Sequence, residues 1–277
     1  MNYPSLSSLQ LHPSSGGAIF HINLNHGRVN EMGSEQLRDW ASLTASLQTG
    51  ATRAVVTTSD KTTKSGKSIF IAGANVTERL EWSVAQVKAH VRWQRETLVQ
   101  LRKAPVFHVV VVDGLALGWG TEFLIAADYR IATPKARFAL PETSIGILPG
   151  AGGTSELARI IGPPQALRLG MTGEQIDANE ALRIGLVDEV LPDTDAANQR
   201  AFELASMAAQ RSPTATAAFK KGVLACLSMD EDARQEFEAK AYELCVDSGE
   251  AQIGRENFKA ITAGQSVAWG PRRDTDQ

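Results

Sequence analysis

The sequence predicts a layered α/β fold, and two patterns along the chain indicate it. Over the first two thirds, short apolar or β-branched runs alternate with helical segments, as in strands that are joined by helical crossovers. From Pro163 onward, helical segments dominate. With 277 residues, of which 43% are hydrophobic and 21% charged, the chain can bury a full core. We therefore predict an α/β core over residues 1–195 and a helical region over residues 196–277.

Each element follows from the period of its apolar residues. Residues 18–25 alternate apolar and polar side chains, and residues 106–112 form a continuous apolar run of the kind that is covered on both faces of a sheet. Pro105 ends a long helix that begins at about Glu78, and Ser34 is the predicted N-cap of an earlier helix. The predicted strands are 18–25, 53–59, 68–73, 106–112 and 129–133. The predicted helices are 34–47, 78–103, 121–127, 164–173, 177–185, 194–210, 213–227, 230–246 and 249–264.

Composition excludes several classes of protein. The net charge of −3 and the scattered Lys and Arg residues argue against a nucleic-acid partner. Cys226 and Cys245 provide neither a disulfide framework nor a zinc site, which favours a reducing compartment and no metal. The first residues show no signal-peptide pattern, and the longest apolar run, around Val109 to Val112, is too short to span a membrane. We expect a cytoplasmic protein with no membrane partner.

Two glycine-rich segments, residues 112–128 and 138–157, each carry one glutamate. If Glu122 and Glu142 face one pocket, they can hold a water molecule between them, and one of them can move its proton. There are structural alternatives: Glu122 as a surface acid in the first turn of a helix, and Glu142 as a turn residue that follows Pro141. The glycines of residues 149–154 are not followed by a lysine, so they do not form a Walker phosphate loop.

These segments resemble the crotonase superfamily, and most closely its enoyl-CoA hydratases. DGLALGWGTEFLIAADYRIAT is similar to the family pattern NGxALGGGxELAxxCDxxIA, and FALPETSIGILPGAGGTSELARIIG is similar to FGxPExxLGxxPGxGGTxRLxRxxG. The resemblance implies an α/β fold with a spiral core of ββα repeats. It also implies C-terminal helices that build a homotrimer, often paired into a hexamer. Further matches lie at Val29-Asn30, 70–75 and 171–192, so that the similarity extends from Ala18 to Ala263.

The resemblance also implies a reaction on an acyl-CoA thioester, in which coenzyme A is part of the substrate and no separate cofactor is needed. Backbone N–H groups of Ala72 and Trp119 would bind the thioester oxygen, and such donors are worth roughly 3 kcal/mol each. Glu142 would handle the proton at the α-carbon, while Glu122 would hold and activate the water. The implied activity is enoyl-CoA hydratase. An isomerase, decarboxylase or lyase of the same superfamily, or a catalytically silent acyl-CoA-binding module, are the alternatives.

Residues around the strand that precedes the implied oxyanion site would contact coenzyme A. Arg28 or Lys67 could pair with a phosphate, and Lys259 stands in a C-terminal segment that is less basic than the family's. The full implied set is Arg28, Val29, Lys67, Ser68, Phe70, Ala72, Gly73, Ala74, Asn75 and Lys259.

Two positions depart from the family pattern. Trp119 stands where the family usually has glycine, and Asn75 stands where it usually has aspartate. We expect the indole of Trp119 to line or shorten the acyl pocket; the alternative is that it packs outward into the core. A positive φ at Trp119 would cost roughly 1 kcal/mol or more.

Overall fold

Two β-sheets with helices packed around them make up the structure. The computed structural model describes residues 4–273. The first three residues of the predicted α/β core and the last four residues of the predicted helical region lie outside this range. Over that range the strands are β1 (Leu9–Ser14), β2 (Ile19–Leu24), β3 (Ala54–Ser59), β4 (Ile69–Ile71), β5 (Phe107–Val112), β6 (Leu115–Leu117), β7 (Tyr129–Ala132), β8 (Arg137–Ala139), β9 (Ile176–Asp177) and β10 (Glu189–Val190).

The helices follow the same chain order. They are α1 (Ser34–Thr49), α2 (Val84–Lys103), α3 (Trp119–Ile125), α4 (Leu157–Ile161), α5 (Pro163–Thr172), α6 (Ala178–Arg183), α7 (Thr194–Ala209), α8 (Pro213–Cys226), α9 (Glu231–Asp247), α10 (Glu250–Glu256) and α11 (Phe258–Thr262). Short 3-10 turns cover Ser15–Gly17, Thr77–Arg79 and Pro141–Ile145.

The larger sheet has the strand order β1-β2-β3-β5-β7-β10. Only its β1–β2 pair is antiparallel, and the pairs from β2 to β10 are parallel. Parallel neighbours need long crossover connections, which is why helices separate most of these strands in the sequence. The smaller sheet has the order β4-β6-β8-β9, and its first three strands are parallel.

Strand β5 is buried on both faces, as its continuous apolar sequence predicts. Val110 and Val112 face the main core, whereas Val109 and Val111 face a second core on the other side of the sheet. Helix α7 covers that second face with a stripe of small side chains at four-residue spacing, which lets the helix lie close to the sheet. The stripe consists of Ala197, Ala201 and Ala205.

The smaller sheet brings three functional segments to one edge. Its strands β4, β6 and β8 run in the same direction, so the chain leaves all three at the same side. Residues 72–75 follow β4, helix α3 follows β6 after one residue, and the 3-10 turn Pro141–Ile145 follows β8 after one residue. The two glycine-rich segments therefore meet because their preceding strands are hydrogen-bonded neighbours.

Most predicted core elements are confirmed, with some ends displaced. The predicted N-cap at Ser34 is wrong: Gly33 caps α1, while the N–H of Ser34 donates to Glu78. The helix predicted from Glu78 begins instead at Val84, because Ser83 caps it and a separate 3-10 turn precedes it. The last predicted helix is divided into α10 and α11.

Candidate active site

Glu122 lies in the first turn of α3 and is only 4% exposed. Its Oε1 accepts hydrogen bonds from the N–H groups of Ala151 at 2.6 Å and Gly153 at 3.0 Å. A surface acid that merely complements the helix dipole would need neither the burial nor these donors. The structural alternative for Glu122 is therefore wrong.

The loop of residues 149–154 is shaped around this carboxylate. The N–H and hydroxyl of Thr154 both donate to the carbonyl of Pro149, at 3.0 and 2.7 Å, which closes the loop. A Cβ added at Gly153 would lie 2.6 Å from Cβ of Pro149 and 3.3 Å from Oε1 of Glu122. Glycine is thus required at residue 153 because the loop closely approaches the carboxylate of Glu122. The anion that this loop binds is therefore a side chain of the protein itself.

Glu142 approaches the start of α3 from the 3-10 turn after β8. A Cβ added at Gly118 would lie 2.6 Å from Oε1 of Glu142, and Gly118 has φ +51°, a second reason for glycine. The other oxygen, Oε2, is buried and has no hydrogen-bond partner within residues 4–273. One carboxyl oxygen of Glu142 is thus free to give or take a proton.

Burial sets the protonation of the pair. Desolvation raises the pKa of Glu122 to about 7, although the N–H groups of Gly153 and Ala151 act in the opposite direction; the neighbouring Glu142 raises it further. Desolvation also raises the pKa of Glu142. Since the two carboxyls interact, they titrate as a coupled pair. With a pKa of about 7, Glu122 is ionised in part of the molecules at neutral pH, and that form can accept a proton.

Two backbone N–H groups at this edge are candidate donors to a ligand oxygen, since neither has an acceptor in the described part of the chain. One belongs to Trp119, the first residue of α3, where the helix dipole adds partial positive charge. The other belongs to Ala74 and not to Ala72. The N–H of Ala72 donates to the carbonyl of Val29 at 3.2 Å, so the prediction that Ala72 supplies the free donor is wrong.

The two free donors lie on segments in close contact. A Cβ added at Gly120 would lie 2.3 Å from the carbonyl oxygen of Ile71, and one added at Gly73 would lie 3.5 Å from that of Leu117. These contacts place the turn after β4 directly against the start of α3. Nothing in the sequence distinguishes Ala72 from Ala74, because the distinction depends on pairing with a distant segment.

The ring of Trp119 lies in the hydrophobic core. It is 2% exposed, and its centroid is 5.5 Å from that of Phe123, which in turn contacts Trp40 and Phe70. Its backbone is helical, so the strain expected for a positive φ does not arise. Of the two interpretations of this residue, packing into the core is the one that these contacts support.

The residues implied for coenzyme A binding fall into two groups. Arg28, Lys67 and Lys259 are exposed and form no ion pair within residues 4–273, so their charges are accessible to a phosphate. Phe70 is fully buried against Phe123, which contradicts a direct ligand contact by its side chain.

The remaining members of that set have structural partners. The carbonyl of Val29 accepts from Ala72, and the hydroxyl of Ser68 hydrogen-bonds to Asp113. Asn75 Oδ1 accepts from the hydroxyl of Thr77 at 2.7 Å and so stabilises the following 3-10 turn. Gly73 and Ala74 form the turn that lies against α3.

The comparisons with known proteins agree with this fold. Residues 15–262 match the family model described as Enoyl-CoA hydratase/isomerase. A short-chain-enoyl-CoA hydratase of Clostridium acetobutylicum is 30% identical over 236 residues, which are 84% of this chain and 87% of that protein. The Bacillus subtilis protein YngF, named provisionally as an enoyl-CoA hydratase/isomerase, is 33% identical over 240 residues, covering 86% of this chain and 90% of its own.

Solved structures show the same architecture. The crystal structure of an enoyl-CoA hydratase from Bacillus anthracis superposes with a TM-score of 0.85 at 29% identity, and the match covers 95% of this chain and 99% of that one. The chain therefore belongs to the enoyl-CoA hydratase/isomerase family and has the crotonase fold. Within residues 4–273, no helix combines the length and hydropathy needed to cross a membrane, and no three His, Cys, Asp or Glu side chains cluster as metal ligands would.

Proposed function

We propose that this protein is a 2-enoyl-CoA hydratase, which adds water across the 2,3 double bond of an acyl-CoA thioester. One observation carries the proposal: two carboxyls whose pKa values are raised by desolvation adjoin the edge where the backbone N–H groups of Ala74 and Trp119 are free. The proposed reaction uses no metal and no redox cofactor, because a carboxyl pair and an oxyanion site provide all the proton transfers and charge stabilisation that hydration needs.

In the proposed mechanism, the thioester oxygen accepts hydrogen bonds from the N–H groups of Ala74 and Trp119. Ionised Glu122 takes a proton from a water molecule whose oxygen bonds to C3. The double-bond electrons move toward the thioester, and the resulting enolate takes a proton at C2 from Glu142. One proton enters the pair and one leaves it, so the pair ends with the same number of protons, and a single exchange between the two carboxyls restores the starting state.

The presence of both carboxyls favours hydration over isomerisation, decarboxylation or lyase chemistry. Those three reactions also need the oxyanion site, but they do not necessarily need two acid–base groups. Here Glu122 is fixed by two N–H donors and Glu142 keeps one oxygen unpaired, which gives each a separate task. A silent binding module would gain nothing from placing two partly desolvated acids together.

We also propose that the chain forms a homotrimer, alone or paired into a hexamer. Within residues 4–273, seven large apolar side chains are exposed on the C-terminal helices, and a monomeric protein rarely exposes so many in one region. They are Met207, Phe219, Val223, Leu227, Tyr242, Val246 and Phe258.

Glutamine substitution tests the catalytic assignment. Glu122→Gln and Glu142→Gln keep the shape of each side chain but remove its acid–base function, so we expect each to lower the hydration of crotonyl-CoA by roughly 100- to 10,000-fold. The readout is loss of the conjugated thioester absorbance. Glu96→Gln changes an exposed glutamate of α2 and should retain wild-type turnover. Substantial activity in either site variant, with circular dichroism unchanged, would refute the assignment.

A further inference from the structure

Arg79 has a buried guanidinium edge without an acceptor. Its Nε and Nη2 are both inaccessible to solvent, and neither has a hydrogen-bond partner within residues 4–273. These two nitrogens lie along one edge of the guanidinium plane, the edge that binds both oxygens of a carboxylate at once. Burying charged donors without an acceptor costs free energy, so their position indicates an anion that is not part of this chain.

Two side chains of α2 extend the same donor surface. His90 is 6% exposed and Gln94 is 3% exposed, and His90 Nε2 and Gln94 Nε2 are also buried without partners in the described part of the chain. Because the two residues are four apart on one helix, they share a face. Three neighbouring side chains therefore present buried nitrogens that have no acceptor.

Contacts place Arg79 and His90 together. Trp82, whose N–H donates to the carbonyl of Arg79 at 3.1 Å, stacks edge-to-face on His90 with ring centroids 5.0 Å apart. Glu78 Oε1 lies 3.9 Å from His90 Nε2. The turn Thr77–Arg79 and the middle of α2 thus enclose the donors from two sides.

The acid nearest in sequence forms no ion pair with Arg79, and its charge offsets only part of the burial that lowers the pKa of Arg79. Both carboxylate oxygens of Glu78 accept from the N–H of Ser34, at 2.9 and 3.2 Å, and Oε1 also accepts from the Ser34 hydroxyl. Glu78 is therefore committed to the start of α1. No ion pair joins it to Arg79 within 4.0 Å in residues 4–273.

Two chain segments connect the cluster to the proposed catalytic site. Arg79 is five residues after Ala74, whose N–H is one of the proposed oxyanion donors. On α2, His90 precedes Arg95 by five residues, which is about 7.5 Å along the axis. Arg95 Nε donates at 2.7 Å to the carbonyl of Gly150, in the loop that holds Glu122. Helix α2 thus carries two of the donors and, five residues after His90, a contact to the loop that holds Glu122.

We propose that Arg79, with His90 and Gln94, binds a carboxylate at the far end of the substrate's acyl group, so that the preferred substrate is the mono-CoA thioester of a short unsaturated dicarboxylic acid. This rests on the proposed function for the hydration step, but the binding of the carboxylate does not depend on turnover. The competing source of an anion is a phosphate of coenzyme A itself, which every acyl-CoA carries.

Paired substrates separate these sources. Glutaconyl-CoA is crotonyl-CoA with a carboxylate on C4, and 2-hexenoyl-CoA has an uncharged acyl chain of similar length. We expect the wild type to favour glutaconyl-CoA over both by roughly 10- to 100-fold in kcat/KM. Arg79→Met should lower kcat/KM for glutaconyl-CoA at least tenfold more than for crotonyl-CoA, chiefly through KM, and Arg79→Lys should recover part of the difference. Arg92→Met, an exposed arginine of the same helix, is the control and should keep the wild-type preference.

Calorimetric titration with the saturated thioesters glutaryl-CoA and butyryl-CoA tests the carboxylate site without any turnover. The proposal is supported if the wild type binds glutaryl-CoA more tightly than butyryl-CoA and Arg79→Met loses this difference. This result would stand even if no substrate were hydrated; in that case only the hydratase assignment would fail. Equal affinities in the wild type would overturn the proposal, and an equal loss for both thioesters in Arg79→Met would overturn it and identify the anion as a coenzyme A phosphate. If Arg79→Met does not fold, Arg79→Gln provides the same comparison.

Discussion

Glu122 shows how burial and hydrogen bonding act in opposite directions on one carboxyl group. Removal from water disfavours the charged form, while two backbone N–H donors favour it. Burial is the larger effect, and the pKa of Glu122 is about 7. This value suits a group that must both accept and release a proton near neutral pH. It also makes the folding stability depend on pH.

The sign of that dependence is opposite to the usual one for a carboxyl. Between pH 4.5 and 7 the folded protein keeps the proton on Glu122 and the unfolded chain loses it, so stability decreases as pH rises. We expect this group to cost roughly 3 kcal/mol of unfolding free energy by pH 8 relative to pH 4.5. Glu122→Gln cannot titrate, so its stability relative to the wild type should increase over this range.

Urea unfolding at several pH values measures the difference between the two curves. The comparison uses Glu122→Gln minus wild type, so that contributions shared by both proteins cancel. Glu96→Gln should run parallel to the wild type. Parallel curves for Glu122→Gln as well would show that Glu122 has an ordinary pKa in the folded protein.

The sequence was sufficient to identify the two glutamates but not the free backbone donors. Each glutamate stands in a glycine-rich segment, and the structure gives a reason for two of the glycines: a side chain at Gly118 would meet the carboxylate of Glu142, and one at Gly153 would meet that of Glu122. Which N–H group is free depends on the pairing of Ala72 with Val29, a contact between residues far apart in the chain. No local pattern encodes that choice.

At the scale of elements, helix α2 supports the site without contributing a catalytic residue. Arg95 holds the carbonyl of Gly150, and seven residues later Arg102 pairs with Glu156 at 3.2 Å. Two turns of helix thus anchor both ends of the segment that presents N–H groups to Glu122. Sequence patterns gave no indication of this, because both arginines look like ordinary charges on a solvated helix face.

Replacing Arg95 should disturb the site through this loop. Arg95→Gln removes the bond to Gly150 and a positive charge that lowers the pKa of Glu122, so we expect kcat to fall roughly tenfold and the pKa of Glu122 to rise. The pH profile of kcat/KM reports the second effect. Arg95→Lys keeps the charge and should restore the profile more than the rate. Arg92→Gln, three residues earlier and exposed, should match the wild type; if Arg95→Gln does too, the loop does not need this anchor.

Element boundaries were predictable where one local signal dominates. The continuous apolar run predicted β5 correctly, whereas β6 and β8, each of three residues, are too short for a period to be read. Yet β6 and β8 determine the site, since their parallel pairing brings α3 and the turn of Glu142 to one edge. The resemblance to the crotonase superfamily supplied what local patterns lacked.

Across the whole molecule, polar contacts attach the C-terminal helices to the core. Lys220 of α8 donates to Asp128 at 2.6 Å and to the carbonyl of Val106 at 2.8 Å. Asp128 also accepts from the N–H of His108 on β5. The buried carboxylate of Glu250 accepts from the hydroxyl of Thr214 at 2.8 Å, which joins α10 to α8. These contacts fix one face of α8 and leave another free.

The free face of α8 is apolar, and this is the basis of the last prediction. Phe219 is 74% exposed, and Val223 and Leu227 follow it at four-residue intervals, so the three form one stripe. If this stripe packs against other copies, sedimentation velocity should show a species of three or six times the 29.8 kDa chain mass. Phe219→Asp with Val223→Asp should shift it toward the monomer, because two charges in an apolar contact are not compensated.

Leu182→Asp is the matched control, since it places the same charge at an exposed leucine of α6, outside the C-terminal helices. It should sediment like the wild type. A wild-type monomer at micromolar concentration, or an assembly that survives the double substitution, would mean that the stripe is not the contact between subunits. Hydration measured on the same samples would then show whether the paired glutamates need the assembly, since every proposed catalytic group belongs to a single chain.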